Sequence, residues 1–189
     1  MQKINYSHLI ELACRIYVFI FMSIYGLAKL FGGQFYTPDR LPQNVAETSI
    51  GQVADFDLAW TFMGRSFGYM LFIGLSEVIG AWLLLWHKTK LLGALVLSTI
   101  LLNVIVFDIF FLDAYGALSS AVIYLVMCST VLFINRDRML QALAPLFTTR
   151  LAHASFKNKL ATYALAAVLM GLVFVVNQLI VNLLGHGKG

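Results

Sequence analysis

The chain has 189 residues, 60% hydrophobic and only 12% charged, whereas an ordinary soluble domain carries roughly a quarter charged residues. With a mean hydropathy of +0.84 this excludes a soluble globular protein. Three prolines, and a formal +4 made from 13 Lys+Arg against 9 Asp+Glu, also exclude disordered, collagen-like and nucleic-acid-binding chains. The two cysteines, Cys14 and Cys128, sit in long apolar runs without a CxxC pair, so no disulfide framework is implied.

A spanning helix needs about 20 mostly apolar residues at ~1.5 Å rise each across a ~30 Å hydrocarbon core. Five segments qualify: 9–31, 67–86, 91–112, 115–134 and 160–184. The expected fold class is therefore all-α, one membrane domain over 1–189, with an outer loop at 32–66 and a basic connector at 135–159. The first segment is longer than a signal-peptide apolar region and carries charges, so it is expected to be a retained helix. The short links around Lys88 and Asp113 make the second, third and fourth spans antiparallel neighbours.

Lys and Arg outside the spans set the orientation, because they are retained on the cytoplasmic side. One side would hold Lys3, Lys88, Lys90, Arg136, Arg138, Arg150, Lys157 and Lys159, the other Arg40, Arg65 and Lys188. The N-terminus is thus expected in the cytoplasm and the C-terminus outside, in a bacterial-type inner membrane.

In the first span, at about 100° per residue, Glu11, Arg15, Tyr25 and Lys29 share one narrow stripe. Glu11 and Arg15 are an i,i+4 pair near the inner surface. The outer loop opens with Pro38, Pro42, Asn44 and Gly51, which favour turns. From Gln52 to Arg65 the apolar Val53, Phe56, Trp60 and Met63 then recur at helical spacing, which predicts a short interfacial helix serving as a lid, with Trp60 as an anchor.

Glu77 lies near the middle of the second span, among Gly74, Gly80 and Ala81, small residues that allow close helix approach. An ionisable residue there costs at least ~2.5–3.5 kcal/mol on insertion scales, so it requires protonation, a cation such as Arg15 or Lys29, or a task. The third span carries Thr99, Asn103 and Asp108. Asp108 and Lys29 fall in the same leaflet, which predicts an ion pair between them.

The connector places Leu140, Leu143, Leu146 and Phe147 on a surface helix surrounded by Arg136, Arg138, Arg150, Lys157 and Lys159. Such a segment attracts anionic lipid or an acidic soluble partner. In the fifth span Ala167 and Gly171, with Gln178 and Asn182, read as helix-packing groups. His8, His87, His153 and His186 fall outside or at span ends, which disfavours a two-histidine haem, and no metal-ligand cluster, Gly-rich phosphate loop, nucleophile elbow or HExxH helix is present.

The arrangement Arg15, Tyr25-Gly26-Leu27-Ala28-Lys29-Leu30, Gly74-Leu75-Ser76-Glu77-Val78-Ile79-Gly80-Ala81, then Thr89-Lys90-Leu91-Leu92-Gly93-Ala94 and Asn103-Val104, resembles the DoxX-like family of small bacterial membrane proteins over roughly residues 9–140. The resemblance implies a four-helix core, here extended by a C-terminal fifth span. It also implies kinship with subunits of thiosulfate:quinone oxidoreductases and with membrane components of oxidative-stress complexes.

Two functions follow as expectations. In the first, the chain is an accessory subunit of a redox or stress-related complex, with no activity required of it alone. Arg15, Tyr25, Lys29, Asn103 and Asp108 would contact a quinone or lipid headgroup, and Glu77 would relay a proton. In the second it is a non-enzymatic scaffold, assembly factor or sensor, recruiting a soluble partner through Arg136, Arg138, Arg150, Lys157 and Lys159. Membrane lipid and a protein partner or second copy are the expected associates, quinone the one expected cofactor, and metal and nucleic acid are not expected.

Overall fold

A computed structural model describes residues 5–112, 115–147 and 156–184, and every regular element among them is a helix. The helices are α1 (Tyr6–Leu30), α2 (Gln43–Ala46), α3 (Asp55–Gly64), α4 (Phe67–Leu85), α5 (Lys90–Phe111), α6 (Tyr115–Ile134), α7 (Arg136–Phe147) and α8 (Phe156–Leu184). Five are long and apolar enough to cross a bilayer: α1, α4, α5, α6, and α8 over Thr162–Leu183. The chain is thus a multi-pass membrane protein by length and composition. The expected spans agree within about a turn, except that α8 begins earlier and takes Lys157 and Lys159 into its first turns.

The chain divides into two compact units, Met1–Ala144 and Pro145–Gly189. In the second, α8 exposes Ala167 and Gly171 along with its larger apolar residues. Arg150 lies outside the described residues.

In the first unit α1 packs most extensively on α4 and also on α6, while α5 packs on both α4 and α6. The helices therefore run α1, α4, α5, α6 around the bundle, and α1 and α5 stand diagonally across it. Each buries a stripe at spacings of three and four: Glu11, Arg15, Val18, Met22, Gly26 and Lys29 on α1; Met70, Gly74, Glu77, Ala81 and Leu84 on α4; Ala121, Tyr124, Cys128 and Val131 on α6. In lipid, packing rather than hydrophobic exclusion joins such stripes.

α1 and α4 cross closely at Gly26 and Gly74. A methyl added to Gly26 would lie 2.8 Å from the Gly74 carbonyl oxygen and 2.7 Å from Val78 Cγ2. Gly64, at the end of α3, is more restricted still, because an added methyl would overlap the Tyr36 backbone.

Overpacking a close crossing costs about 1–3 kcal/mol. Gly26→Val is therefore expected to lower the unfolding midpoint of the detergent-solubilised protein by that order, measured by denaturant titration. An unchanged midpoint would show that α1 and α4 do not depend on this approach.

Candidate functional site

Two buried polar clusters are built along α1, fourteen residues apart from Arg15 to Lys29, which is about 21 Å at helical rise. The first joins the start of α1 to the end of α4, the start of α5 and the end of α6. Lys90 Nζ donates to Glu11 Oε1 at 2.6 Å, Arg15 Nη1 donates to the same oxygen at 3.3 Å, and Asn135 Nδ2 donates to Glu11 Oε2 at 3.1 Å. Arg15 Nε also donates to the Leu84 carbonyl at 2.9 Å, its Nη2 donates to the Leu85 carbonyl, and the Thr89 hydroxyl donates to that of Leu83. The last carbonyls of α4 lack partners within their own helix, and this set supplies them while placing positive charge at the negative end of the helix dipole. Arg15 is thus a capping residue in a structural knot, remote from the expected headgroup site.

The expected Glu11–Arg15 pair is present, but Lys90 is its stronger partner. Lys90 was expected among the exposed cytoplasmic bases, and its side chain is only 5% exposed. The available signal was register: Lys90 precedes the buried positions Ala94, Leu97 and Leu101 at helical spacing.

The second cluster lies towards the opposite end of α1. Lys29 Nζ donates to both carboxylate oxygens of Glu77 at 2.7 Å, and the Glu77 side chain is 2% exposed. This corrects the expected Lys29–Asp108 pair. Side chains on a helix incline towards its N-terminus, and α1 packs directly on α4. The Lys29 chain therefore leans back along α1 to the level of Glu77, whereas Asp108 stands on the helix diagonally across the bundle. Asp108 is also buried, and its Oδ2 accepts no hydrogen bond among the described residues.

Lys29, Glu77 and Asp108 line both lobes of a cavity, together with Gln34, Trp60 and Val104. The smaller lobe, about 140 Å³, extends among α1, α5 and α6 past Met22, Tyr25, Ser120 and Tyr124. The larger, about 390 Å³, extends between α4 and α5 under α3 past Tyr69, Ser76, Asn103 and Phe107. Small-molecule sites occupy about 300–1,000 Å³ with few polar groups in a mostly apolar wall. The structure thus brings Tyr25, Lys29, Glu77, Asn103 and Asp108 to one cavity and leaves Arg15 out. Exposed Asn103 reaches only the larger lobe.

The lid is α3 with the segment after α1. Trp60 stacks on Phe56 at 4.2 Å between ring centroids and meets the edge of Phe35 at 5.5 Å. The Tyr36 backbone N–H donates to the Trp60 carbonyl, and the Tyr36 hydroxyl donates to Asp57 Oδ1 at 3.2 Å. Trp60, expected as an interfacial anchor, lies on the lid and lines both lobes of the cavity. Gln34 and Tyr124 also line it although no sequence pattern marked them. Both stand where the fold places them, Gln34 in the loop after α1 and Tyr124 on the buried stripe of α6.

Of the connector residues, Arg136 and Arg138 are exposed on α7, and the Arg136 guanidinium lies 5.0 Å from the Phe133 ring centroid. Among the described residues, no group of three or more His, Cys, Asp or Glu could hold a metal ion.

No family model matches the chain, and no solved structure matches it. A curated relative does: the uncharacterized protein YwoB of Bacillus subtilis (strain 168) is 34% identical over 128 residues, which cover 67% of this chain and 77% of YwoB.

Removing one member of a buried ion pair costs about 3–5 kcal/mol when the other charge is left uncompensated. Lys29→Met leaves two buried carboxylates, whereas Glu77→Gln leaves one lysine opposite one aspartate. Lys29→Met is therefore expected to be the less stable variant in denaturant titration, and the reverse order would refute this charge accounting. The lid has its own pH dependence. Partial burial, then the adjacent Asp57 carboxylate, hold the Tyr36 hydroxyl above its ordinary value of 10.0. A group raised on folding stabilises fully below its unfolded value and loses that effect as pH climbs through the folded one. Trp60 emission is thus expected to change above about pH 10 with a component that Tyr36→Phe abolishes.

Proposed function

The chain belongs to the family of Bacillus subtilis YwoB, and within it we propose an integral membrane accessory subunit of a redox or stress-related complex, one that holds a quinone or lipid headgroup inside its bundle. In this reading the fold is a DoxX-like four-helix core, α1, α4, α5 and α6, with α8 as an added fifth span. The protein sits in the bacterial inner membrane with its N-terminus in the cytoplasm and its C-terminus outside. The asymmetry of Lys and Arg between alternate loops supports that orientation.

The observation that carries the reading is the two-lobed cavity around Lys29, Glu77 and Asp108. Ionisable groups inside a membrane protein are costly, and they gather where substrates, protons or headgroups are handled. Here they face open volume under a lid instead of filling a packed contact. Lys29 has a third N–H beyond the two engaged by Glu77, and Tyr25 lines the smaller lobe with a phenol hydroxyl. Both are suited to donate to a headgroup oxygen. Glu77, held on Lys29, is placed to accept a proton when the head is displaced. Electron transfer is assigned to a partner in the complex, and this chain contributes the binding site and its electrostatics.

The alternative function is a non-enzymatic scaffold, assembly factor or sensor that docks a soluble partner through its basic connector. Its support is the exposure of Arg136 and Arg138 on α7.

Mass spectrometry of the mildly solubilised, affinity-purified protein separates the two. The expected result is a stoichiometric quinone or lipid that is absent from Val104→Trp, a change that places a bulky ring where the two lobes meet without altering any charge. A co-purifying soluble protein with no small molecule, lost on neutralising Arg136 and Arg138, would replace the first function with the second.

A further inference from the structure

We propose that the cavity selects an amphiphile whose head is a protonated amine, bound through Asp108. The inference rests on the reading of this cavity as a ligand site and specifies the chemistry of its occupant.

Asp108 is 4% exposed, it lines both lobes, and its Oδ2 lacks a hydrogen-bond donor among the described residues. A buried carboxyl oxygen without a donor is costly, and structures normally supply a partner. Lys29 acts on Asp108 only through space, since its hydrogen bonds go to both oxygens of Glu77. The Gln34 side-chain oxygen, on the wall shared by both lobes, is likewise buried without a partner. The amide can present either end, so Gln34 is compatible with a donor without requiring one. Asp108 decides the polarity of the site.

Charge gives the same answer. With all three ionised, Lys29, Glu77 and Asp108 sum to one negative charge, and a monovalent cation makes the sum zero. An ammonium supplies both the missing charge and up to three N–H donors. The walls suit such a head on an apolar body, because Trp60, Tyr25 and Tyr124 present rings to the smaller lobe and ring faces attract cations. A head carrying only acceptors, such as a quinone carbonyl pair, leaves Asp108 Oδ2 without a donor.

The decisive comparison is n-octylammonium against n-octanol, equal in chain length and different in charge. The readout is Trp60 emission from the detergent-solubilised full chain in a Trp82→Phe/Trp86→Phe background, since both of those tryptophans are exposed away from the cavity. Octylammonium is expected to saturate the signal at a concentration about tenfold lower than octanol, the scale of a charge-assisted hydrogen bond. Asp108→Asn is expected to bring the two probes together. Because two carboxylates share the one lysine, and that change removes the carboxylate without a hydrogen-bonded cation, its melting temperature should not fall. Should the variant fail to fold, the two probes compared on the parent protein still decide the matter.

Equal responses to the two probes, or an Asp108→Asn protein that still prefers the amine, would overturn the assignment. Decylubiquinone is the third probe: if it binds ahead of octylammonium the amine is wrong and the ligand cavity stands. If none of the three probes changes the signal, the cavity reading fails with it. Reconstitution into nanodiscs of phosphatidylcholine, with or without phosphatidylethanolamine, then identifies the source. Competition by phosphatidylethanolamine assigns the amine to a bilayer lipid, and an unchanged octylammonium response assigns it to a free lipophilic amine.

Discussion

The buried contact between Lys29 and Glu77 organises the bundle. A carboxylate near the middle of a spanning helix is expensive in hydrocarbon, and its cost falls only when a cation is delivered to the same depth. Lys29 stands one residue from the end of α1, yet its chain inclines towards the N-terminus of that helix and arrives at the level of Glu77. The delivery requires α1 and α4 to be nearly in backbone contact, which is the task of Gly26 and Gly74. The glycine crossing and the ion pair are therefore one device, since a larger residue at the crossing would move the lysine away from its partner.

The cluster at the other end of α1 solves a different problem. The final carbonyls of α4 would be unsatisfied close to the hydrocarbon, and in a membrane each such group costs several kcal/mol. Arg15 and Thr89 satisfy them, and Glu11 then balances Arg15 and Lys90 while accepting from Asn135. Four helices meet in one hydrogen-bonded knot. That contrast separates the clusters by role: one is saturated and closes the bundle, and the other keeps an unpartnered carboxyl oxygen facing open volume.

The volume itself follows from the packing. Along α5 the buried stripe passes from Lys90 through Ala94, Leu97 and Leu101 to Asp108, and Val104, the position that would continue it, faces the cavity instead of a neighbouring helix. Towards this end the four helices leave space that α3 and the segment after α1 cover from above. The Phe35–Trp60–Phe56 ring contacts and the Tyr36–Asp57 hydrogen bond hold that cover together. This cover, held by ring contacts, the Tyr36–Asp57 bond and the Tyr36 backbone bond to Trp60, packs less extensively on α4 and α5 than the long helices pack on one another, which suits a cover that must admit an occupant.

The membrane class, the five apolar helices to within about a turn, and the stripe on α1 that carries Glu11, Arg15 and Lys29 were all legible in the linear order of residues. All of these depend on length, hydropathy and a 3.6-residue period, which are local properties. It also marked Glu77 as anomalous, because depth in a span can be counted along the chain. Which buried charge pairs with which depends on how the helices are arranged around the bundle. Lys29 could reach towards Glu77 or Asp108 at similar depth, and the choice follows from α1 packing beside α4 and standing diagonally to α5. Lys90 changed from a solvated base to a buried partner of Glu11 for the same reason, and Gln34, Trp60 and Tyr124 joined the cavity from separate elements. Azimuth around a bundle is set by side chains from several helices at once, and no period within a single helix encodes it.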